Sequence, residues 1–407
     1  MDFGAVANNR TDIGPALMKA FECAQKSITK RAADTVILVP PGNYRWASKV
    51  VFAKSQFITV TIRGRLYMPY DPKLTRHLNV PPMNSRQIIR SSNIFLKIIF
   101  NGNGRLYGNG NNYRPGRNLN LHPNRPRLIR FERCDTVDYS GVDLYDAPLF
   151  HLVFSHGKNI RIHHFEIHCL YIGATDGINV SGSNIYVHDV VVENGDELTD
   201  KANFDRRCVT AKSPIIGLKV RNVQCIGTTG CAIGSMGPTA KDYRIENLDY
   251  RNVTVSNGAN GVVIKSYPGA SGIISLYPLP NQKRDVLKLQ IVTDKCALDI
   301  LSSFTLIAQM KTNVAYPIKL DYMWGATLHK TRRQKPVEEI QRWSGMTFND
   351  FSGTGTKNRA PVTLNCPGRS PCTGLQLTGS TKTTVVSNAC GRVDSKSRKT
   401  IPNLPPC

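Results

Sequence analysis

The sequence predicts an all-β fold, a parallel β-helix whose open end is capped by one N-terminal helix. Two observations carry this expectation. Short runs rich in β-branched residues recur at a regular step, and one amphipathic stretch precedes them. NIRIHHFEI begins at Asn159 and NIYVHDVVV at Asn184; IGLKVRNVQ and YRIENLDYR fit the same frame. Ile162, Val187, Val220 and Ile245 then share a column with steps of 25, 33 and 25. A coil of this length buries its inner face only by stacking on the next, as solenoids do. The frame lacks Leu-x-x-Leu-x-Leu, which excludes a leucine-rich repeat.

The elements follow in chain order. Within TDIGPALMKAFECAQKSI, Ile13, Leu17, Ala20, Phe21 and Ala24 recur at helical spacing, Thr11 or Asp12 is placed to cap, and Pro15 sits in the first turn. This predicts a capping helix over about 11–28. It would blunt the edge strands of the stack. One continuous solenoid domain without a linker is expected over about 35–385, followed by a tail over about 386–407 tied down by Cys390 and Cys407. CPGRSPC reads as a short disulfide loop between Cys366 and Cys372. The step of 33 contains LTDKANFDRR, Leu198 to Arg207, an insert expected to form a loop at one corner.

Composition narrows the classes of function. The 407 residues carry 53 Lys plus Arg against 29 Asp plus Glu, a net charge of +24 that attracts polyanions. No zinc finger or RNP-type aromatic motif accompanies the charge, so nucleic acid is not the expected partner. The longest strongly apolar run, IFLKIIF, is far too short to span a membrane. Eleven cysteines without a CxxC pair, and sequons at Asn9, Asn179 and Asn252, favour a secreted, disulfide-bonded glycoprotein over a metal-binding one. Asn179 falls in a strand, where its sequon would be buried. No basic-then-apolar leader opens the chain, so a signal peptide would already be absent.

The carboxylates carry the chemistry. Asp176 precedes the pair Asp196-Glu197 by twenty residues, which places them on neighbouring coils, about 4.8 Å apart. Carboxyls gathered in a cleft have their pKa values driven apart, so one can donate a proton while the others activate water. Spacing alone leaves a plain alternative open, solvated carboxylates at coil corners. The histidines of RIHHFEIH read as surface or stacked coil residues in preference to metal ligands. Tyr267, Tyr316 and Trp324 could stack on sugars but suit packing as well.

Several motifs in order, DFGAV, NGNGRLYGNGNNY, DAPLFHL, TDGINVSGSNIYVHDVVVENGDE, CVTAKSP, GCAIGSMG, VIKSYPG and CPGRSPC, resemble glycoside hydrolase family 28. The resemblance is strongest to the rhamnogalacturonan hydrolase branch of these pectin-degrading enzymes. It implies a right-handed parallel β-helix and an inverting, cofactor-free and metal-free hydrolase that takes a pectic polysaccharide; the solenoid needs no partner chain, so a monomer is expected. By resemblance Asp196 is the general acid, Asp176 and Glu197 hold and activate the water, and Lys265 contacts an acidic sugar. It also implies a disulfide between Cys208 and Cys231.

The departures are informative. Val263 stands where polygalacturonases have an arginine, and Thr229-Gly230-Cys231 replaces Gly-His-Gly. Valine cannot grip a galacturonate carboxylate as an arginine fork does, so a neutral rhamnose becomes acceptable there. Thr312 stands nearest a histidine of the branch. The insert separates Glu197 from Cys208, where the family pair runs directly into the cysteine. A pectin-binding homologue disabled by that insert, a polygalacturonase acting on homogalacturonan, and a calcium-dependent lyase are the rival expectations.

Overall fold

The structure, a computed structural model, describes residues 2–28, 35–52, 56–71, 96–113, 125–169, 175–194, 206–237, 239–275, 308–323, 341–349, 351–355, 362–367, 372–378, 386–387 and 393. The chain divides into two compact units, Met1–Asp196 with Asn203–Arg206 and Glu197–Ala202 with Arg207–Cys407. No helix among the described residues is long and apolar enough to cross a membrane.

The expected helix forms over Gly14–Ile28. Its cap is Asp12, whose carboxylate accepts from Gly14 N at 3.1 Å and also from Ala47 N at 2.8 Å and Ser48 N at 3.0 Å. One side chain thereby starts the helix and fastens it to a loop 35 residues away. The face foreseen from spacing is the buried one, with Ile13, Leu17, Ala20, Phe21 and Ala24 all within the core. Phe21 stacks on Phe52 at 4.6 Å, so the helix covers the first strands as a lid covers a stack.

In the first unit, strands join three parallel ladders, which makes it a parallel β-helix. One ladder runs through Thr35–Val39, Gln56–Ile62, Leu96–Gly102 and Asp135–Ser140. A second runs through Asn43–Arg45, Arg65–Tyr67, Arg105–Tyr107 and Asp143–Tyr145. Ile129–Glu132 opens the third. The Leu152–Cys169 strand enters all three, pairing with Ile129–Glu132, Asp135–Ser140 and Asp143–Tyr145 in turn. It bends at His156, Asn159 and His164, each with φ between 51° and 55°. Such left-handed residues turn a strand without ending it, and Asn and His adopt them more readily than β-branched residues. Inside, like side chains pile up: Phe131 on Phe154 at 4.6 Å and Phe100 on Tyr139 at 5.3 Å.

The Leu152–Cys169 and Ile178–Asn194 strands pair Ile162 with Val187, as the repeat predicted. The second unit corrects the next part of that column. Val220 is opposed by Tyr250, and Ile245 by Ile215, so Val220 and Ile245 are not partners. Apolar residues occur throughout the Tyr243–Ser256 strand, and a slip of five positions lands another apolar residue on the same column. Further parallel rungs follow in this unit from Cys231–Met236 through Asn260–Ser266 and Tyr316–Asp321 to Val362–Asn365.

Candidate active site

Asp176 lies two residues before the Ile178–Asn194 strand and is fully buried. Its backbone is fixed by His151, whose amide donates to the Asp176 carbonyl at 3.0 Å and whose Nδ1 lies 3.1 Å from the same oxygen. Ala147 N donates to Nε2 of that ring at 3.2 Å. An accepting Nε2 puts the proton of neutral His151 on Nδ1, so the ring is a second donor to Asp176. His151 sits in DAPLFHL, a stretch that sequence reading tied to a family and to no role.

Asp196 and Glu197 lie outside the described residues, as do Leu198 to Asp205 of the insert, Trp324, Cys390 and Cys407. What anchors the approach to Asp196 is visible two residues earlier. Asn194 is fully buried, accepts from Thr175 Oγ1 at 2.9 Å and donates through Nδ2 to the Thr175 carbonyl. Thr175 precedes Asp176, and Asn194 ends the strand that Asp176 introduces. The coil therefore returns to the corner where it began, and one asparagine closes it.

The second unit repeats this closure covalently, and here the expected disulfide is corrected. Cys208 bonds to Cys225, seventeen residues on, at the far end of the Val209–Ile226 strand. Cys231 is free and buried, with its sulfur within 4.8 Å of the other two. The register explains the choice. Thr210 pairs with Ala232, which sets Cys231 opposite Val209, while Cys225 is brought back to Cys208 by the turn of its own coil. Burial pushes the Cys231 thiol up to about 12, which keeps it a poor nucleophile. The Cys366–Cys372 bridge forms as expected.

Arg206 and Arg207, the last two residues of the insert, are buried at 9% and 4% exposure immediately before Cys208. Lys265, expected to touch an acidic sugar, is 1% exposed in the Asn260–Ser266 strand, with Gly234 on one side and Asp321 on the other. The segment after it is pinned, since Tyr267 N donates to Met236 O at 3.0 Å and Gln341 Nε2 donates to Tyr267 O at 3.0 Å. Tyr243 O–H donates to Gln341 Oε1 at 3.1 Å and accepts from Trp343 Nε1 at 3.1 Å. Burial pushes that phenol up to about 12. Tyr267 is thus tethered through its backbone. Tyr316 receives the Lys319 ammonium over its ring at 5.0 Å.

The histidine cluster is a packed array. His163 stacks on His188 at 4.8 Å, one rung apart. His164, His188 and Asp189 bring one ligand atom each within 4.8 Å of one another. Yet Arg161 Nε donates to His188 Nε2 at 3.1 Å, so His188 Nδ1 carries a proton and gives it to Asp189 at 2.6 Å. That leaves His188 without a lone pair for an ion.

The Ile129–Glu132, Leu152–Cys169 and Ile178–Asn194 strands align Arg130, Val153 and Asn179 in register, in the same unit as Asp176. Asn179 is 3% exposed, and neither end of its amide has a hydrogen-bond partner. Its sequon is accordingly buried in a strand.

The model of Glycosyl hydrolases family 28 matches residues 33–284. The chain belongs to that family. It is therefore a glycoside hydrolase, and its nearly all-sheet, parallel architecture is that of family 28 enzymes of known structure. Rhamnogalacturonase A of Aspergillus niger is 30% identical over 379 residues, covering 93% of this chain and 70% of the relative. Putative rhamnogalacturonase D of the same organism is 26% identical over 378 residues, with the same coverages. The endo-xylogalacturonan hydrolase of Aspergillus tubingensis superposes with a TM-score of 0.66 at 16% identity, covering 97% of this chain and 96% of its own. Within family 28, the residues that sequence reading passed over here are His151, Asn179 and Asn194. Asn179 reads as a sequon and Asn194 as a strand end, and only the coil's return shows what they face.

Proposed function

We propose that this family 28 hydrolase cleaves the galacturonate–rhamnose backbone of rhamnogalacturonan in pectin, by inversion and outside the cell, acting as a monomer. The observation that carries the reading is Asp176, wholly buried and held by two contacts from His151 to its carbonyl, two residues before the Ile178–Asn194 strand. Relatives named rhamnogalacturonases support the substrate. Asp196 protonates the leaving oxygen, and Asp176 and Glu197 position a water and take its proton as it attacks the opposite face of the sugar. Lys265 holds an acidic sugar. Val263, in place of an arginine, relaxes the demand for a carboxylate at that rung.

The test is reducing-end release from rhamnogalacturonan beside homogalacturonan, with Asp176→Asn and Asp196→Asn as controls. Cleavage of rhamnogalacturonan alone, lost in both variants, is the expected result, and NMR of the first product gives the stereochemistry. Release from homogalacturonan only would overturn the substrate. A second reading is binding without cleavage, the site being disabled by the insert, Leu198 to Arg207, that separates Glu197 from Cys208. Tight pectin binding with no new reducing ends would establish it.

A further inference from the structure

Resting on the pectin-directed reading above, we infer that the groove around Arg63, Asn103 and His164 is a second, non-catalytic binding site for an acidic polysaccharide. It lies where the first ladder turns into the second, at the corner that His164 makes in the Leu152–Cys169 strand with a φ of 51°. Asp176 instead stands before residues 178–180, which belong to the third ladder. In a coil of three sides, the corner between two of them lies across from the third. The groove and Asp176 therefore occupy different faces of the same unit. The groove has a volume of about 900 Å³ and runs from Pro41 and Arg63 through Asn103 and Gly141 to His164. It crosses five rungs of the first ladder. Spaced about 4.8 Å apart, they give it a length of roughly 19 Å, suited to several linked sugars and not to a single ion.

The groove is furnished with free polar groups. Among the described residues, the exposed Arg63 guanidinium has neither an ion pair nor a hydrogen bond. The exposed Asn103 amide and the half-buried Ser140 hydroxyl are equally unengaged among them. Asn101 accepts from Thr61 Oγ1 at 2.8 Å, which leaves the protons of its Nδ2 to offer. The His164 side chain is 62% exposed. Its Nδ1 lies 2.7 Å from His163 Nδ1, and His163 Nε2 lies 3.1 Å from Asp138, so the two rings hold each other in place. No carboxylate and no Phe, Tyr or Trp among the described residues lines the groove.

These groups select a class of ligand. A guanidinium fork takes a carboxylate on two donors, and free amides and hydroxyls take sugar hydroxyls. One strong cation among several neutral groups suits a chain with many hydroxyls and sparse charge. A nucleic acid would need a cation at each phosphate and aromatic platforms for its bases. Gly102 and Gly141 leave the floor bare, so a sugar ring can lie close to the backbone. A site here tethers the polymer to the enzyme and raises its effective concentration at the catalytic face.

Affinity electrophoresis through gels containing polygalacturonate tests this, with the whole chain and a double variant, Arg63→Gln with Asn103→Ala. Arg10→Gln serves as a control of equal charge, since Arg10 is exposed in the Asn8–Asp12 strand and lies outside the groove. Thermal midpoints equal to wild type establish that the variants fold. The double variant should bind about threefold to tenfold more weakly with a flatter salt dependence, and Arg10→Gln should stay within about twofold of wild type. On rhamnogalacturonan the double variant should raise KM for the polymer about threefold and leave kcat unchanged. Neither constant should move on short oligosaccharides. Equal losses in the double variant and Arg10→Gln, or a matching loss toward single-stranded DNA, would overturn the inference. Hydrolysis by wild type with unaltered retardation of the double variant sinks the second site and leaves the proposed function standing. Retardation that follows the pattern without hydrolysis does the reverse.

Discussion

At the scale of single residues, the molecule relies on a few polar side chains that each serve two places. Asn194 satisfies Thr175 twice, and so sets the distance between the residue before Asp176 and the strand end that leads to Asp196. Replacing it with alanine leaves a buried carbonyl without its donor and lets that corner shift. An ångström of misplacement costs about a hundredfold in rate, so Asn194→Ala should lower kcat by up to that factor while KM changes little. Steady-state kinetics on rhamnogalacturonan would check it. Asp12→Ala removes a helix cap and two long-range bonds, and should lower stability by about 2 kcal/mol in urea unfolding. Asp176 stands out in the sequence because its motif is local. The contacts of Asn194 and His151 do not, since each depends on a partner 19 and 25 residues away that no local pattern names.

At the scale of elements, the coil governs both what was readable and what was not. Alternation and period gave the Ile162–Val187 rung and the apolar face of the helix, because both follow from backbone geometry of fixed repeat. The Val220–Ile245 rung was misassigned because corners take up different numbers of residues without disturbing the strands between them. The disulfide followed a rule that spacing does not disclose: a chain that completes one turn meets itself. Peptide mapping under non-reducing conditions should find Cys208 joined to Cys225, with Cys231 unmodified by alkylating reagent until the protein unfolds. Cys225→Ser should cost about 3 kcal/mol. Deleting a ring from the interior pile should cost as much or more, with Phe154→Ala lowering stability by about 3–5 kcal/mol.

At the scale of the whole molecule, charge and pH act together. Binding of pectin by a chain of net charge +24 should weaken steeply as salt rises from 50 mM to 500 mM, measured by affinity electrophoresis. Acid should loosen the fold in two stages. Burial holds the His163 imidazole below its usual range; Asp138 pulls the other way, and Arg161 and His188 add to the lowering. The unfolded chain then binds the extra proton first, so this contribution to stability is lost as pH falls through about 6.5 and below. Asp12 and Asp135 resist burial through hydrogen bonds, from Ser48, Ala47 and Gly14 to the former and from Asn159 and Thr136 to the latter, and both ionise more readily than free aspartate. Their contributions persist above about pH 4 and vanish beneath it. Burial raises Asp143, which works in the opposite direction. Calorimetric midpoints should therefore fall modestly between pH 7 and pH 5, and sharply below pH 4.

The paired closures at Thr175–Asn194 and Cys208–Cys225 bear on how such a chain changes over generations. Two hoops are each fastened to themselves. A hoop that holds its own two ends keeps its register whatever the chain gains or loses outside it, so lineages can change length elsewhere while the strands within each hoop stay paired.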